Sequence, residues 1–304
     1  MNNRPDIKWV WSDRIDREKW DQCIDLAANG RIYGYSWYLD SMADNWEALV
    51  LGDYQQVMPL PWRSKYGIRY IYQPFLCAQL GIFGDQITSQ LTQEFIEAIP
   101  PTFRLAELSL NPSNIAPPHS QVRNNFVLDL SPSYEQLYQH YRENIQRNIK
   151  KAFQLGCQVT RDEEVESVIE LALAQMHIKD KNKDKNIQSF RKLYGLLKIK
   201  DKVRIYGILG PDRQLIASAV FFFSHDRAYY ILVGNHPNGR TIGASHALID
   251  AFIKDHAGQK LLLDFEGSDI RNLAFFYSSF GAKLEQYPFL KWNRLPFWLK
   301  WLKT

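Results

Sequence analysis

Two carboxylates near the C-terminal end stand at a spacing that suits proton transfer. Asp264 and Glu266 flank Phe265 at the end of a short apolar run, Leu261–Phe265. Alternate side chains of a strand share a face, so both acids are expected on one side of it. A carboxylate turned into a core is costly unless paired, which makes at least one of them a pocket candidate. Glu266 is the candidate base, with Asp264 as orienter or substrate contact. A salt-bridged or solvated pair is the alternative for both.

A second segment suits an anion. Val233-Gly-Asn-His-Pro-Asn-Gly-Arg-Thr-Ile-Gly-Ala-Ser245 leaves a strand and opens a helix. A helix start presents unpaired N–H groups and the positive end of a dipole. Gly243 permits close backbone approach, and small Ala244 and Ser245 keep the helix start open. Val233, Arg240, Thr241, Ile242, Gly243, Ala244 and Ser245 are therefore candidates for a pyrophosphate cradle. The alternative is an ordinary strand-to-helix turn.

The elements that must position these residues follow from periodicity and turn residues. The first half reads as a strand at Ile7–Trp11, helices near Arg17–Ala28 and Tyr35–Asp44, and strands near Trp46–Leu51, Gln55–Pro61 and Ile68–Gln73. A helix near Ser89–Ile99 and a strand at Leu105–Leu110 complete it. The second half repeats the order, with helices near Glu163–Met176 and Ile187–Leu197 and strands at Val203–Leu209, Ala217–Ser224 and Ala228–Val233. A helix near Gly243–His256 and the strand Leu261–Phe265 follow. The repeated order suggests a tandem duplication.

Between the halves, Leu137, Tyr141, Ile145, Ile149 and Phe153 recur every four residues, as on one helix face. Arg142, Arg147, Lys150 and Lys151 line much of the rest. That is either a solvated linking helix or a rail for a polyanion such as tRNA or a phospholipid head group.

Composition sets bounds. The chain has 304 residues, 45% of them hydrophobic, which fits a globular protein with a substantial core. A net charge of +4 is compatible with an anionic ligand without indicating a dedicated nucleic-acid binder. The nine tryptophans belong to the core or to ligand-gripping grooves. Cys23, Cys77 and Cys157 lie far apart and the histidines show no ligand spacing, so no metal site is expected. There is no apolar leader and no membrane-spanning run, which reads as cytoplasmic. The tail Leu295-Pro-Phe-Trp-Leu-Lys-Trp-Leu-Lys303 is aromatic and basic, suited to peripheral membrane contact or to a last packed helix.

These residues resemble the GNAT acyltransferase superfamily. Arg240-x-x-Gly243-x-Ser245 is similar to its R/Q-x-x-G-x-G/A motif, departing at the last position. Tyr277-x-x-x-Gly281 is similar to its Y-x-x-x-G-F motif, with Ala282 in place of Phe. Within the superfamily the chain resembles Fem-type peptidyltransferases over most of its length. That likeness rests on the tandem halves, the basic stretch Arg142–Gly156, and Asp264-Phe-Glu-Gly-Ser268 leading into Phe280-Gly281.

The resemblance implies α/β (α+β) architecture with two tandem GNAT-like domains, each a mainly antiparallel sheet flanked by helices. Residues 1–130 would form a degenerate domain shaping the acceptor groove. Residues 131–304 would hold the acyl donor, an acyl-CoA or aminoacyl-tRNA, with no metal. Fem enzymes carry a long two-helix arm, for which 157–202 is short, and this leaves a thioester donor open. The reaction implied is N-acyl transfer to an amine, on a small molecule or a lipid-linked cell-envelope precursor. It requires loss of the ammonium proton, stabilisation of an oxyanion and protonation of the leaving group. Tyr277 would supply the last proton, and strand N–H groups at Leu232–Asn235 would hold the oxyanion. The alternatives are a CoA-dependent acetyltransferase on a small amine and a non-catalytic binding protein that kept the fold.

Overall fold

The computed structural model describes residues 6–115, 120–161, 163–175, 182–267 and 269–297, with the backbone but not the side chain of Arg240. The chain divides into two compact units, Met1–Arg123 with Gln286–Thr304, and Asn124–Glu285.

In the first unit, β1 (Ile7–Val10) leads to α1 (Arg17–Leu26), α2 (Ser36–Met42), β2 (Trp46–Leu51), β3 (Gln56–Lys65) and β4 (Ile68–Ile71). The two-residue β5 (Phe83–Gly84), α3 (Ser89–Ala98) and β6 (Phe103–Ser109) follow. Asp16 caps α1 by accepting the N–H groups of Glu18 and Lys19, and Thr88 caps α3 through Leu91. β1, β2, β3 and β4 pair antiparallel in sequence order, and β4 then pairs parallel with β6. Trp20, Tyr33, Tyr38, Phe83, Phe95 and Phe103 fill the core, so much of the aromatic content is packing.

β7 (Gln121–Asp129) comes next in the chain. The second unit continues with α4 (Tyr134–Gln139), α5 (Glu143–Gln154), β8 (Gln158–Thr160), α6 (Val165–Gln175), α7 (Lys183–Ile199), β9 (Val203–Leu209), β10 (Leu215–Ser224) and β11 (Arg227–Asn235). It ends with α8 (Pro237–Ile242), α9 (Ala244–His256), β12 (Leu262–Asp264) and α10 (Arg271–Ser278). β8, β9, β10 and β11 pair antiparallel in order, and β11 pairs parallel with β12. This is the topology of the first unit again, mainly antiparallel with one parallel pair after a crossover helix. Each unit gains one more strand. β7 joins β12, and the last strand, β13 (Lys283–Asn293), joins β6.

The return of β13 differs from the expected 1–130 and 131–304 partition. Residues from Gln286 on group with the first unit, because Phe289–Asn293 pair with Ser109–Leu105. The basic segment also differs from one continuous helix. It breaks between Gln139 and Glu143, where Arg142 is extended (φ −63°, ψ 149°) and its N–H bonds the Ser279 carbonyl. Ser133 and Gln136 close a reciprocal cap on α4. The segment is not a free linker: Ile145, Ile149 and Ala152 of α5 are buried in the second unit's core.

α9 lays Leu248, Ile249, Phe252 and Ile253 into that core, with Phe252 stacked on Phe221 at 3.8 Å between centroids. Among the described residues no helix is long and apolar enough to cross a membrane.

Candidate active site

β11 and β12 pair only at Arg227–Tyr229 with Leu262–Asp264. β12 stops there while β11 runs on to Asn235, so the stretch Tyr230–Asn235 extends past its parallel neighbour. A cleft of about 580 Å³ lies along this stretch, bounded by the first turn of α9 and by α10. Tyr230, Val233 and Asn235 line it together. Tyr230 and Val233 are an odd number of residues apart and would face opposite ways in a regular strand. The register with β10 slips, Val220 facing Leu232 and Phe221 facing Tyr230, which leaves Ile231 as a bulge. The extra residue resets the alternation and turns all three side chains to the cleft.

The far wall comes from α10. Tyr277 lines the cleft, is buried, and stacks on Phe265 at 4.5 Å. Burial, with the Glu266 charge adding to it, pushes its phenol up to about 12, so the O–H is retained at neutral pH.

The floor of the mouth is a polar chain. The Ser245 hydroxyl donates to Asn235 Oδ1 at 2.5 Å, and the Asn235 N–H donates to Gln175 Oε1 at 2.9 Å. α6 reaches Gln175 because it packs hard on β11: a Cβ at Gly234 would lie 2.7 Å from the Ala172 nitrogen. His246 also lines the cleft, and burial lowers its pKa to about 4, so its imidazole is neutral. Asn235, Gln175 and His246 were missed as site side chains. Asn235 marks the strand's end, but Gln175 and His246 carry no motif that separates them from ordinary helix residues.

The structure brings Val233, Ser245 and Tyr277 to one cleft. It brings neither Asp264 nor Glu266 into the lining of that cleft. Asp264 is buried, paired with Arg227 at 2.5 Å, and accepts from Asn125 Nδ2 and the Glu266 N–H, each at 2.9 Å. Arg227 also reaches Glu285 at 3.1 Å. Burial opposes the Arg227 charge, but Asp264 and Glu285 outweigh it and hold it protonated. The expectation that Asp264 and Glu266 share a strand face is corrected. The strand ends at Asp264, and Glu266 adopts a left-handed φ of 65°, which breaks the alternation. Glu266 is half-buried and close enough to Tyr277 to raise its pKa.

The open loop expected at Arg240–Gly243 is α8, capped by His236 with Pro237 at its first position. Gly243 closes it in the left-handed region (φ 84°), its N–H bonding the Gly239 carbonyl. A Cβ there would lie 2.5 Å from the Asn148 carbonyl oxygen, so the close approach that Gly243 permits is to α5 and not to a ligand. Lys151 Nζ donates to the Thr241 carbonyl at 2.8 Å, fixing the same turn. Ile242 is partly buried against the core and Ala244 fully so. The Arg240 side chain and Ser268 lie outside the described residues.

Of the proposed polyanion rail, Arg142, Arg147 and Lys150 are exposed. Arg142 sits 4.6 Å over Phe275, and exposed Lys151 holds Thr241. In the tail, Leu295 is buried and Phe297 exposed. Trp298–Lys303, on which membrane contact would rest, lies outside the described residues.

In the first unit the space after β4 is closed. Leu80 bridges Leu110, and buried Asn29, Asn111 and Asn114 bond the Leu80 and Ile82 backbone. Among the described residues no group of His, Cys, Asp and Glu is arranged to hold a metal ion.

Comparison with known proteins agrees with this geometry. Residues 139–269 match the acetyltransferase (GNAT) domain model. The match lies within the second unit, which is thus similar to an acetyltransferase (GNAT) domain. No curated protein matches the chain. Among solved structures, the fold is similar to that of FemX, with TM-score 0.61 and 11% identity over 92% of this chain and 96% of that one. It is similar to the C-terminal domain of a putative lysylphosphatidylglycerol synthetase from Agrobacterium fabrum, with TM-score 0.53 and 10% identity over 91% and 90%. L-PGS from Bacillus licheniformis is similar with TM-score 0.51 and 10% identity over 92% and 93%. At these identities the likeness is one of fold.

Proposed function

We propose that the chain transfers an acyl or aminoacyl group from an activated donor to an amine, with the reacting carbonyl beside Tyr230–Asn235. The observation that carries this reading is the extension of β11 past β12 with a protonated Tyr277 in the resulting cleft. Glu266 accepts one ammonium proton through a water, and the neutral amine nitrogen then attacks the carbonyl carbon. Strand N–H groups near Leu232–Gly234 stabilise the oxyanion, the Asn235 N–H being held by Gln175. As the C–N bond forms and the C–S or C–O bond breaks, the Tyr277 O–H protonates the leaving sulfur or oxygen, and the second proton lost by the new amide nitrogen restores the Tyr277 phenol. Asp264 acts through structure, holding Arg227 and the backbone of Glu266.

For the donor, the GNAT domain favours an acyl-CoA thioester. The turn at Arg240–Gly243 does not fit the phosphate cradle read from sequence, since α8 and α5 occupy it. Diphosphate contact would fall to the first turn of α9 at Ser245, since Ala244 is fully buried. Aminoacyl-tRNA is the second donor, favoured by the exposed Arg142, Arg147 and Lys150 of α5. The structural neighbours named for an aminoacylated lipid and for FemX favour an acceptor that is lipid-linked or belongs to the cell envelope. Incubation with acetyl-CoA or with alanyl-tRNA, each with a panel of amines, tests the proposal by mass spectrometry of the products. Acylated amine with either donor supports it. Donor binding without turnover on any amine favours the non-catalytic alternative.

A further inference from the structure

We propose that the first unit carries a groove for a neutral saccharide ring, in the notch where the end of β1, the turn Ser12–Arg14, the end of α2 and the start of β2 meet. The notch holds about 440 Å³. Three indole rings, Trp11, Trp46 and Trp62, line it together with Asp13, Asp40, Asp44 and Glu47. An aromatic face packs against the C–H face of a sugar, and carboxylates accept from its hydroxyls.

Charge decides against a cationic ligand. Asp40 pairs with Arg17 at 3.1 Å, Asp44 pairs with Arg63 at 2.8 Å, and Glu47 pairs with Arg69. Only exposed Asp13 lacks an ion pair among the described residues, so the wall is close to neutral while rich in polar groups. It also holds an unspent donor: Trp62 Nε1 is buried without a hydrogen-bond partner among the described residues. A ligand hydroxyl, or a water it holds, supplies the missing acceptor.

The second unit provides an internal control. Its notch at the corresponding place, about 480 Å³, is lined by charged residues including Arg161, Glu163, Lys198 and Arg204, with Tyr194 as its one aromatic lining residue. The topology alone therefore makes a notch but does not require tryptophan. Trp46 is explained by the core, since it is buried against Trp20 at 5.0 Å. Trp11 packs on Trp9 at 4.8 Å between centroids yet stays 47% exposed at the rim, which leaves ring surface to a ligand.

The test titrates the full chain with glucose, N-acetylglucosamine and cellobiose, and separately with choline, following tryptophan fluorescence and calorimetric heat. At least one saccharide should saturate while choline does not. Trp11→Ala should weaken that saccharide about tenfold or more, and Asp13→Asn should change it little, with circular dichroism unaltered in both. Tyr194→Ala, in the second notch, should leave it unchanged. The proposal is overturned if no saccharide saturates up to its solubility, if Trp11→Ala binds like wild type while folded, or if choline saturates in place of the saccharides.

Discussion

Tyr277→Phe isolates one oxygen. The ring keeps its stack on Phe265 at 4.5 Å and its place against Phe126 and Tyr230, so the fold should survive. What is lost is the O–H that burial and Glu266 keep protonated up to about pH 12. A positioned general acid contributes about 10²–10⁴ in rate, or roughly 3–5 kcal/mol of barrier. Single-turnover release of the leaving group should slow by that factor, with donor affinity changed little. The loss should be largest for donors with poor leaving groups and shrink for activated thioesters, which need less protonation. Since the phenol ionises well above the usual 10.0, wild-type activity should show no basic fall below about pH 11 from this group. A folded Phe variant within about threefold of wild type on every donor would refute Tyr277 as the acid.

Glu266→Gln should lower turnover by about 10²–10⁴ without weakening donor binding, and a variant as fast as wild type removes Glu266 as base. Asp264→Asn should act on stability, because Arg227 would be left buried with half its partners; breaking such a pair costs about 3–5 kcal/mol, measurable by urea denaturation. Ser245→Asp would set a carboxylate against the Asn235 oxygen that now accepts from Ser245, at the cleft mouth, and should cut donor affinity about tenfold or more by calorimetry. Buried Tyr72, Tyr141, Tyr206 and Tyr277 all have phenol pKa values raised chiefly by burial. Raised folded pKa values add stability that is whole below the unfolded value near 10 and lost above it, so the melting temperature should fall steeply from about pH 10 to 12.

Much of the fold was legible because the two halves repeat one order of periodic segments. Val203–Leu209 and the helix at Gly243–His256 appear within a residue of their expected bounds. β13 was not legible as part of the first unit. Its pairing with β6 joins residues far apart in sequence, and no local pattern encodes such a partner. Tyr277, Val233 and Ser245 stood out through motifs and a strand-to-helix junction, and the structure places them along one cleft. The alternation argument for Asp264 and Glu266 failed because a strand's end is set by its partner's hydrogen bonds as much as by its own residues. Gly243 was read for its freedom, correctly, but the group that comes close is the Asn148 carbonyl on α5. Sequence shows that a glycine leaves room, not what fills it.

The central claim is that an activated acyl donor lies along the end of β11 that extends past β12. Hydrogen exchange read by mass spectrometry, with and without saturating acetyl-CoA and separately with a non-hydrolysable alanyl-tRNA analogue, tests it directly. The account predicts that one of these donors slows exchange in peptides covering Tyr230–Ala247 and Arg271–Ser278 of the second unit. If a donor binds and protects neither segment, or if neither donor alters exchange there, the cleft is not the donor site and the proposed chemistry fails with it.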